Sequence, residues 1–186
     1  MNDIFVAAGD LQYFCEQQGW SFCFIGGIAV QRWGQPRLTR DVDITLLSGF
    51  GNEELFIDPL LSHYTARIPD AHEFALMSRV LLLETEKKIP LDIALGAMPF
   101  EERTIKRASA FQLSNTITIT TCSAEDLIVH KAFANRAQDW LDIEGIIIRQ
   151  GRHLRHRIIL QEVAPLAALK DEPALLEQLR LLLSRH

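Results

Sequence analysis

Two aspartates separated by one valine, Asp41-Val42-Asp43, sit in a stretch where Val42, Ile44 and Leu46 alternate with Asp41, Asp43 and Thr45. This period-two pattern predicts a strand with one buried face, and residues two apart on a strand project from the same side. Both carboxylates therefore point one way while Val42 and Ile44 turn to the core. Carboxylates side by side repel unless a proton or a cation intervenes. A divalent metal is the usual remedy, and Mg2+ prefers oxygen ligands from one or two carboxylates plus substrate phosphates. Asp92 lies between Leu91 and Ile93 in another apolar run, so it projects away from the core if those two face it. Two aspartates on one strand and a third on a neighbour can hold two metals about 4 Å apart, which activate an attacking oxygen and stabilise a pyrophosphate leaving group. Asp41, Asp43 and Asp92 are thus the candidate ligands for Mg2+ or Mn2+.

Upstream, Phe24-Ile25-Gly26-Gly27 supplies the other half of a phosphate site. A glycine pair at a strand-to-helix junction permits close backbone approach, and a helix N-terminus offers N–H groups to anionic oxygens. Alone, a diglycine is a tight turn, an Asp-x-Asp strand is a solvated face, and Asp92 is an exposed strand position. The order strand, diglycine, helix, loop, Asp-x-Asp strand and third strand aspartate carries the metal-and-phosphate reading.

The elements that must position these residues follow from periodicity and breakers. A helix is predicted over residues 3–18, ended by Gly19, then a buried strand over 21–25 and a short helix over 28–33 closed by Gly34. After the loop at Gln35-Pro36-Arg37 comes the acidic strand over 42–46. Asn52 is suited to cap a helix from Glu53 to about Tyr64. Strands over 80–83 and 89–95 flank a charged turn at Glu86-Lys87-Lys88, and Pro99 opens a helix expected to run through Phe111. Residues 116–121 alternate Thr and Ile as a strand. Ser123-Ala124-Glu125-Asp126 then begins a capped helix to about Asn135, a second helix covers 139–150 up to Gly151, and the rest is leucine-rich at helical spacing. The expected organisation is a sheet module over residues 1–121 followed by a helical bundle over 122–186.

Composition bounds the function classes. The chain has 186 residues, 48% of them hydrophobic and 23% charged, as in ordinary globular domains, which excludes disordered, collagenous and coiled-coil classes. The net charge of −5 argues against a general nucleic-acid coat, although Arg149 to Arg157 gathers four arginines and two histidines that suit a solvated helix end or an RNA-facing patch. Cys15, Cys23 and Cys122 contain no CxxC pair and read as reduced, buried thiols. No apolar run spans a bilayer, and Met1-Asn2-Asp3 has no basic leader character. A cytoplasmic protein is expected.

The blocks Gly26-Gly27-Ile28-Ala29, Thr39-Arg40-Asp41-Val42-Asp43 and Asp92 resemble the signature of the polymerase-β-like nucleotidyltransferase superfamily. A distal block, Glu125-Asp126-Leu127 with Lys131, Arg136, Asp139 and Asp142, is similar to that of the AbiEii-like toxins of type IV toxin–antitoxin systems. The resemblance covers roughly residues 20–148. It implies an α+β fold, with a mixed sheet, flanking helices and a small C-terminal helical bundle. It also implies an enzyme that moves a nucleoside monophosphate from an NTP, ATP among the candidates, to a hydroxyl on RNA (tRNA included), a partner protein or a small molecule. Gly26 and Gly27 would contact the triphosphate, with Thr39 and Arg40 beside the nucleotide. Asp41 and Asp43 would ligate Mg2+, and Asp92 would complete the metal site and help activate the acceptor hydroxyl. Lys131 would lie near the phosphates or acceptor, with Asp139 orienting it or aiding the acceptor. A cognate toxin or antitoxin would be the protein partner.

Two plainer readings stand beside these. Lys131, late on a capped helix, is by position a solvated lysine, and Arg37 and Arg40 either steer phosphates or pair with nearby acids. The competing function is a non-catalytic or regulatory binding protein on the same fold, antitoxin-like, whose mark would be a broken acidic triad; all three aspartates are present. A sugar-nucleotide glycosyltransferase also uses a strand-end Asp-x-Asp, but the diglycine at this spacing is foreign to that pattern.

Overall fold

The computed structural model describes residues 3–185; Met1, Asn2 and His186 lie outside them. The chain forms two compact units, one made of residues up to Ile28 together with Leu38–Cys122, the other of Ala29–Arg37 together with the chain from Ser123 onward.

The first unit is built on a mixed sheet. In chain order it holds α1 (Asp3–Gln17), β1 (Phe22–Phe24), the start of α2 (Gly26–Trp33), β2 (Val42–Leu47), α3 (Glu54–His63), β3 (Thr65–Ala66), α4 (Ala71–Ser78), β4 (Val80–Glu84), β5 (Pro90–Gly96), α5 (Pro99–Arg107), β6 (Ser109–Gln112) and β7 (Thr118–Thr121). The seven strands run in the order β3-β4-β5-β2-β1-β7-β6. β2 pairs β5 in parallel, and β1 pairs β7 in parallel; the other neighbours are antiparallel. Alternation decides which side is dry. Val42, Ile44 and Leu46 of β2, Leu81 and Leu83 of β4, and Leu91, Ile93 and Leu95 of β5 are buried together with Leu11 of α1 and Ile57 and Leu60 of α3. Each such side chain contributes roughly 1.5–3 kcal/mol on leaving water. The opposite face of the same strands carries the half-buried Asp43, Leu82 and Asp92. β1 is buried throughout, as a short strand at the middle of the sheet must be.

The second unit is helical: the remainder of α2, then α6 (Ala124–Ala134), α7 (Ala137–Gln150), a 3-10 turn at Gly151–His153, α8 (His156–Leu169) and α9 (Ala174–Leu183). Ser123 caps α6, its Oγ accepting the Asp126 N–H at 3.1 Å. Asn135 ends α6 with φ 58, a left-handed conformation asparagine tolerates. Residues 29–37 are bound into this unit by side-chain-to-backbone bonds: Arg149 donates to the Gly34 carbonyl, and Gln150 Nε2 donates to Trp33 O at 2.7 Å. No helix among the described residues is long and apolar enough to cross a membrane.

Three local expectations are corrected. The helix opened by Pro99 stops at Arg107, and Ala108 turns extended (ψ 150) so that Ser109–Gln112 pair with Thr118–Thr121 as an antiparallel hairpin; tertiary pairing overrides the helix propensity of Ala108-Ser109-Ala110. Asn52 does not cap α3. The preceding residue is Glu53, which makes no cap bond and instead takes an ion pair from Arg79. Between residues 64 and 79, where no element was expected, lie the two-residue β3 and the eight-residue α4.

Candidate active site

The acidic residues converge. Asp43 and Asp92 are direct partners in the parallel register of β2 and β5, so their side chains leave the sheet side by side on the face opposite Ile44 and Ile93. Asp41 lies one residue before β2. One carboxylate oxygen from each of Asp41, Asp43 and Asp92 falls within 4.8 Å of the others, and all three residues are half-buried. Donors that are all carboxylate oxygen, in a space of this size, suit a hard divalent ion such as Mg2+ or Mn2+ and not a thiophilic one.

The glycines are required by what stands over them. Gly26 has φ +57, and a Cβ there would lie 2.0 Å from Asp43 Oδ2; a Cβ on Gly27 would lie 2.3 Å from Thr39 Oγ1. Any side chain at either position would overlap the acidic site. Thr39 is buried and donates from Oγ1 to Asp41 Oδ1 at 2.9 Å, holding that carboxylate although Asp41 lies off the strand. The Ile25 N–H donates to Asp43 O at 3.0 Å, tying the diglycine to β2. Arg40 is exposed in the segment leading to β2. The structure therefore assembles Gly26, Gly27, Thr39, Asp41, Asp43 and Asp92 in one place. It adds Arg67, just after β3, whose Nη2 donates to Asp92 Oδ1 in an ion pair. An isolated arginine in an irregular stretch gave no sequence signal for this.

Lys131 and Asp139 meet in the helical unit. Lys131 is 5% exposed, so it is not a solvated helix lysine. Its Nζ lies 3.1 Å from Asp139 Oδ1 and 2.6 Å from Asp142 Oδ2. Arg37 completes the cluster with a two-pronged contact to Asp142, Nε to Oδ1 and Nη2 to Oδ2, both 2.9 Å. Arg136 donates from Nε to Asp139 Oδ2 at 2.8 Å. Burial pushes the Asp142 carboxyl up, yet the bonds from Arg37 and Lys131 outweigh it and hold it at about 2. Asp139 is likewise lowered, against its burial, by Arg136 and Lys131. Elsewhere in the unit the Arg155 backbone N–H and Nε both donate to Glu125 Oε1, which sets one arginine of the basic 149–157 segment against an acid.

Residues 13–170 match the family described as nucleotidyl transferase AbiEii toxin, type IV TA system. The chain belongs to this family. As an AbiEii nucleotidyltransferase it is a transferase of the toxin–antitoxin class. Solved structures show the same fold at low identity. An antigenic nucleotidyltransferase-like protein from Paracoccidioides brasiliensis superposes with a TM-score of 0.55 at 14% identity, covering 95% of this chain and 93% of the other. The lincosamide antibiotic adenylyltransferase LnuA does so with a TM-score of 0.51 at 18% identity, over 78% and 96%. The antibiotic-resistance factor ANT(2'')-Ia gives 0.54 at 12% identity, over 94% of each chain. No curated protein matches the AbiEii-family chain in sequence.

Proposed function

We propose that this nucleotidyltransferase moves a nucleoside monophosphate from an Mg2+-bound NTP to a hydroxyl acceptor, with Asp41, Asp43 and Asp92 as the metal ligands. The observation that carries the reading is the register pairing of Asp43 with Asp92, with Asp41 brought to within 4.8 Å. Unneutralised, such a cluster is unfavourable. When bound, the metal would neutralise phosphate charge and lower the pKa of the attacking hydroxyl. The chain's own residues do the rest. Thr39 orients Asp41 through its 2.9 Å bond, and Asp92, paired with Arg67 in the structure, is proposed to help activate the acceptor hydroxyl once that pairing is exchanged. Gly26 and Gly27, having no side chains, let Asp43 and Thr39 pack against the start of α2, and the backbone N–H groups of that helix start are the proposed contacts for the triphosphate. Arg40, exposed beside the triad, supplies a cation for the nucleotide.

ATP is the proposed donor, a choice favoured by the adenylyltransferase LnuA sharing the fold. The acceptor is proposed as tRNA, a protein or a small molecule carrying a free hydroxyl, and the setting as a cytoplasmic toxin–antitoxin pair with a cognate antitoxin, in keeping with the family. Lys131 and Asp139 are proposed to serve nucleotide or acceptor binding through the cluster with Asp142 and Arg37, whose charges fix one another in place.

The test is transfer itself. Purified protein with Mg2+, each labelled NTP in turn, and total cell RNA or lysate is expected to yield a labelled product with one nucleotide preferred, and Asp43→Ala is expected to abolish it. Labelling unchanged in Asp43→Ala, or none with any NTP and acceptor, would overturn the proposal.

A further inference from the structure

Arg67 belongs to a row that crosses four strand positions of the sheet. Its backbone N–H donates to Leu82 O at 3.0 Å, extending the pairing of β3 with β4 by one residue. Leu82 faces Asp92 across β4 and β5, and Asp92 faces Asp43 across β5 and β2. With strands about 4.8 Å apart, the Arg67 backbone stands two spacings from Asp92, a gap that a long side chain bridges by passing over Leu82. The guanidinium ends on Asp92 Oδ1, with the two side chains 27% and 32% exposed. Its Nε is buried and has no hydrogen-bond acceptor among the described residues. A buried N–H of a charged group without an acceptor is uncommon and costly.

We propose that Arg67 is a placeholder cation on the acidic triad, which yields Asp92 to the metal only when a nucleotide's phosphates arrive to receive it. The inference rests on the metal reading above. The guanidinium on Asp92 Oδ1 and a divalent ion in the triad would draw on the same carboxylate, so the two cations compete. Metal alone must displace the arginine and leave it without its carboxylate. Metal arriving with a triphosphate brings oxygens that accept paired N–H bonds from a guanidinium, and these also supply the acceptor that Nε lacks. Arginine exchanges carboxylate for phosphate, metal takes the carboxylate, and the two ligands bind as a unit. Arg67 is in this sense a positioning residue for the metal, and the coupling is reciprocal.

The experiment is Mn2+ titration, by electron paramagnetic resonance or calorimetry, with and without a non-hydrolysable NTP analogue, on wild type, Arg67→Ala and Asp41→Asn. Arg67→Ala is expected to bind bare Mn2+ about tenfold more tightly than wild type, and the gain in Mn2+ affinity on adding nucleotide is expected to shrink by about the same factor. Direct competition survives at about 0.5 M salt, where the screening length is about 4 Å. Equal Mn2+ affinity in wild type and Arg67→Ala, or convergence of the two at high salt, overturns the placeholder while leaving the triad intact. Mn2+ binding undiminished in Asp41→Asn overturns the metal reading itself. Circular dichroism and melting confirm that each variant folds; should Arg67→Ala not fold, Arg67→Gln, uncharged and of similar length, carries the same expectation.

Discussion

Gly26 and Asp43 share one space: the point where a Cβ of residue 26 would stand lies 2.0 Å from Asp43 Oδ2. The glycine of the strand-to-helix turn and the aspartate of the acidic triad are therefore one steric unit. Gly26→Ala is expected to incur about 1–2 kcal/mol for a left-handed backbone carrying a side chain and, in addition, to push Asp43 out of line and abolish transfer. Gly19 also has positive φ (+69), but a Cβ there meets nothing within 4 Å. Gly19→Ala should lose comparable stability by thermal melting and keep full activity. Active Gly26→Ala would show that Asp43 can move without consequence.

Isosteric neutralisation should separate the three aspartates. Asp41→Asn and Asp43→Asn relieve repulsion in the metal-free protein, so both are expected to lose transfer while melting within about 0.5 kcal/mol of wild type or above it. Asp92→Asn also removes the partner of Arg67 and should melt lower than the other two. A loss of many degrees in Asp43→Asn would assign these carboxylates to holding the fold.

The buried lysine should matter to stability in a way that its sequence position does not suggest. Lys131→Met leaves Asp139 and Asp142 without a shared cation, although Arg136 and Arg37 remain. The expected loss is about 3 kcal/mol, the low end for breaking a buried pair. Lys106→Met, on an exposed helix position, should stay within about 0.5 kcal/mol. Chemical unfolding of both variants decides; equal stability would mean that the cluster contributes nothing.

Acid should find the same cluster. The Asp142 carboxyl is held at about 2 in the folded protein against about 3.9 for a free aspartate. A depressed folded value gives stabilisation that is complete above about pH 5 and drains away as pH falls through about 4 toward 2 and below, roughly 2.5 kcal/mol in all. The lowered Asp139 acts in the same direction. Arg37→Gln removes the two-pronged contact, so its acid unfolding midpoint should move to higher pH. Identical acid limbs for wild type and Arg37→Gln, followed by circular dichroism, would contradict this.

Much of the site was legible because strands and turns write themselves locally. The alternation around Asp41 and Asp43, the flanking Leu91 and Ile93 of Asp92, and the glycine pair each state an orientation within a few residues. What brings Asp43 opposite Asp92 is a parallel pairing between distant segments, and no local pattern encodes register across such a separation. The hairpin strand Ser109–Gln112 was hidden for the same reason, since its partner lies across a turn and its own residues favour helix. Arg67 could not be read at all: its role depends on a two-residue strand, the pairing with Leu82 and the reach of its side chain. Lys131 was legible as a motif position, but its burial was not, because a lysine beside two aspartates looks solvated until the helices carrying them are packed.

The division of the chain sets an order of assembly during synthesis. Residues 29–37 leave the ribosome early, yet the rest of the unit they belong to begins at Ser123. The buried Ala29 and Val30, and Arg37 with its eventual Asp142 contact, must wait while the rest of the sheet is made. A nascent chain ending at Cys122 would hold every strand found among the described residues but carry Ala29–Arg37 without the rest of their unit and Arg37 without its acid. The sheet unit is thus discontinuous in sequence as a folding unit, and severing the chain between its two halves would not yield two self-sufficient pieces.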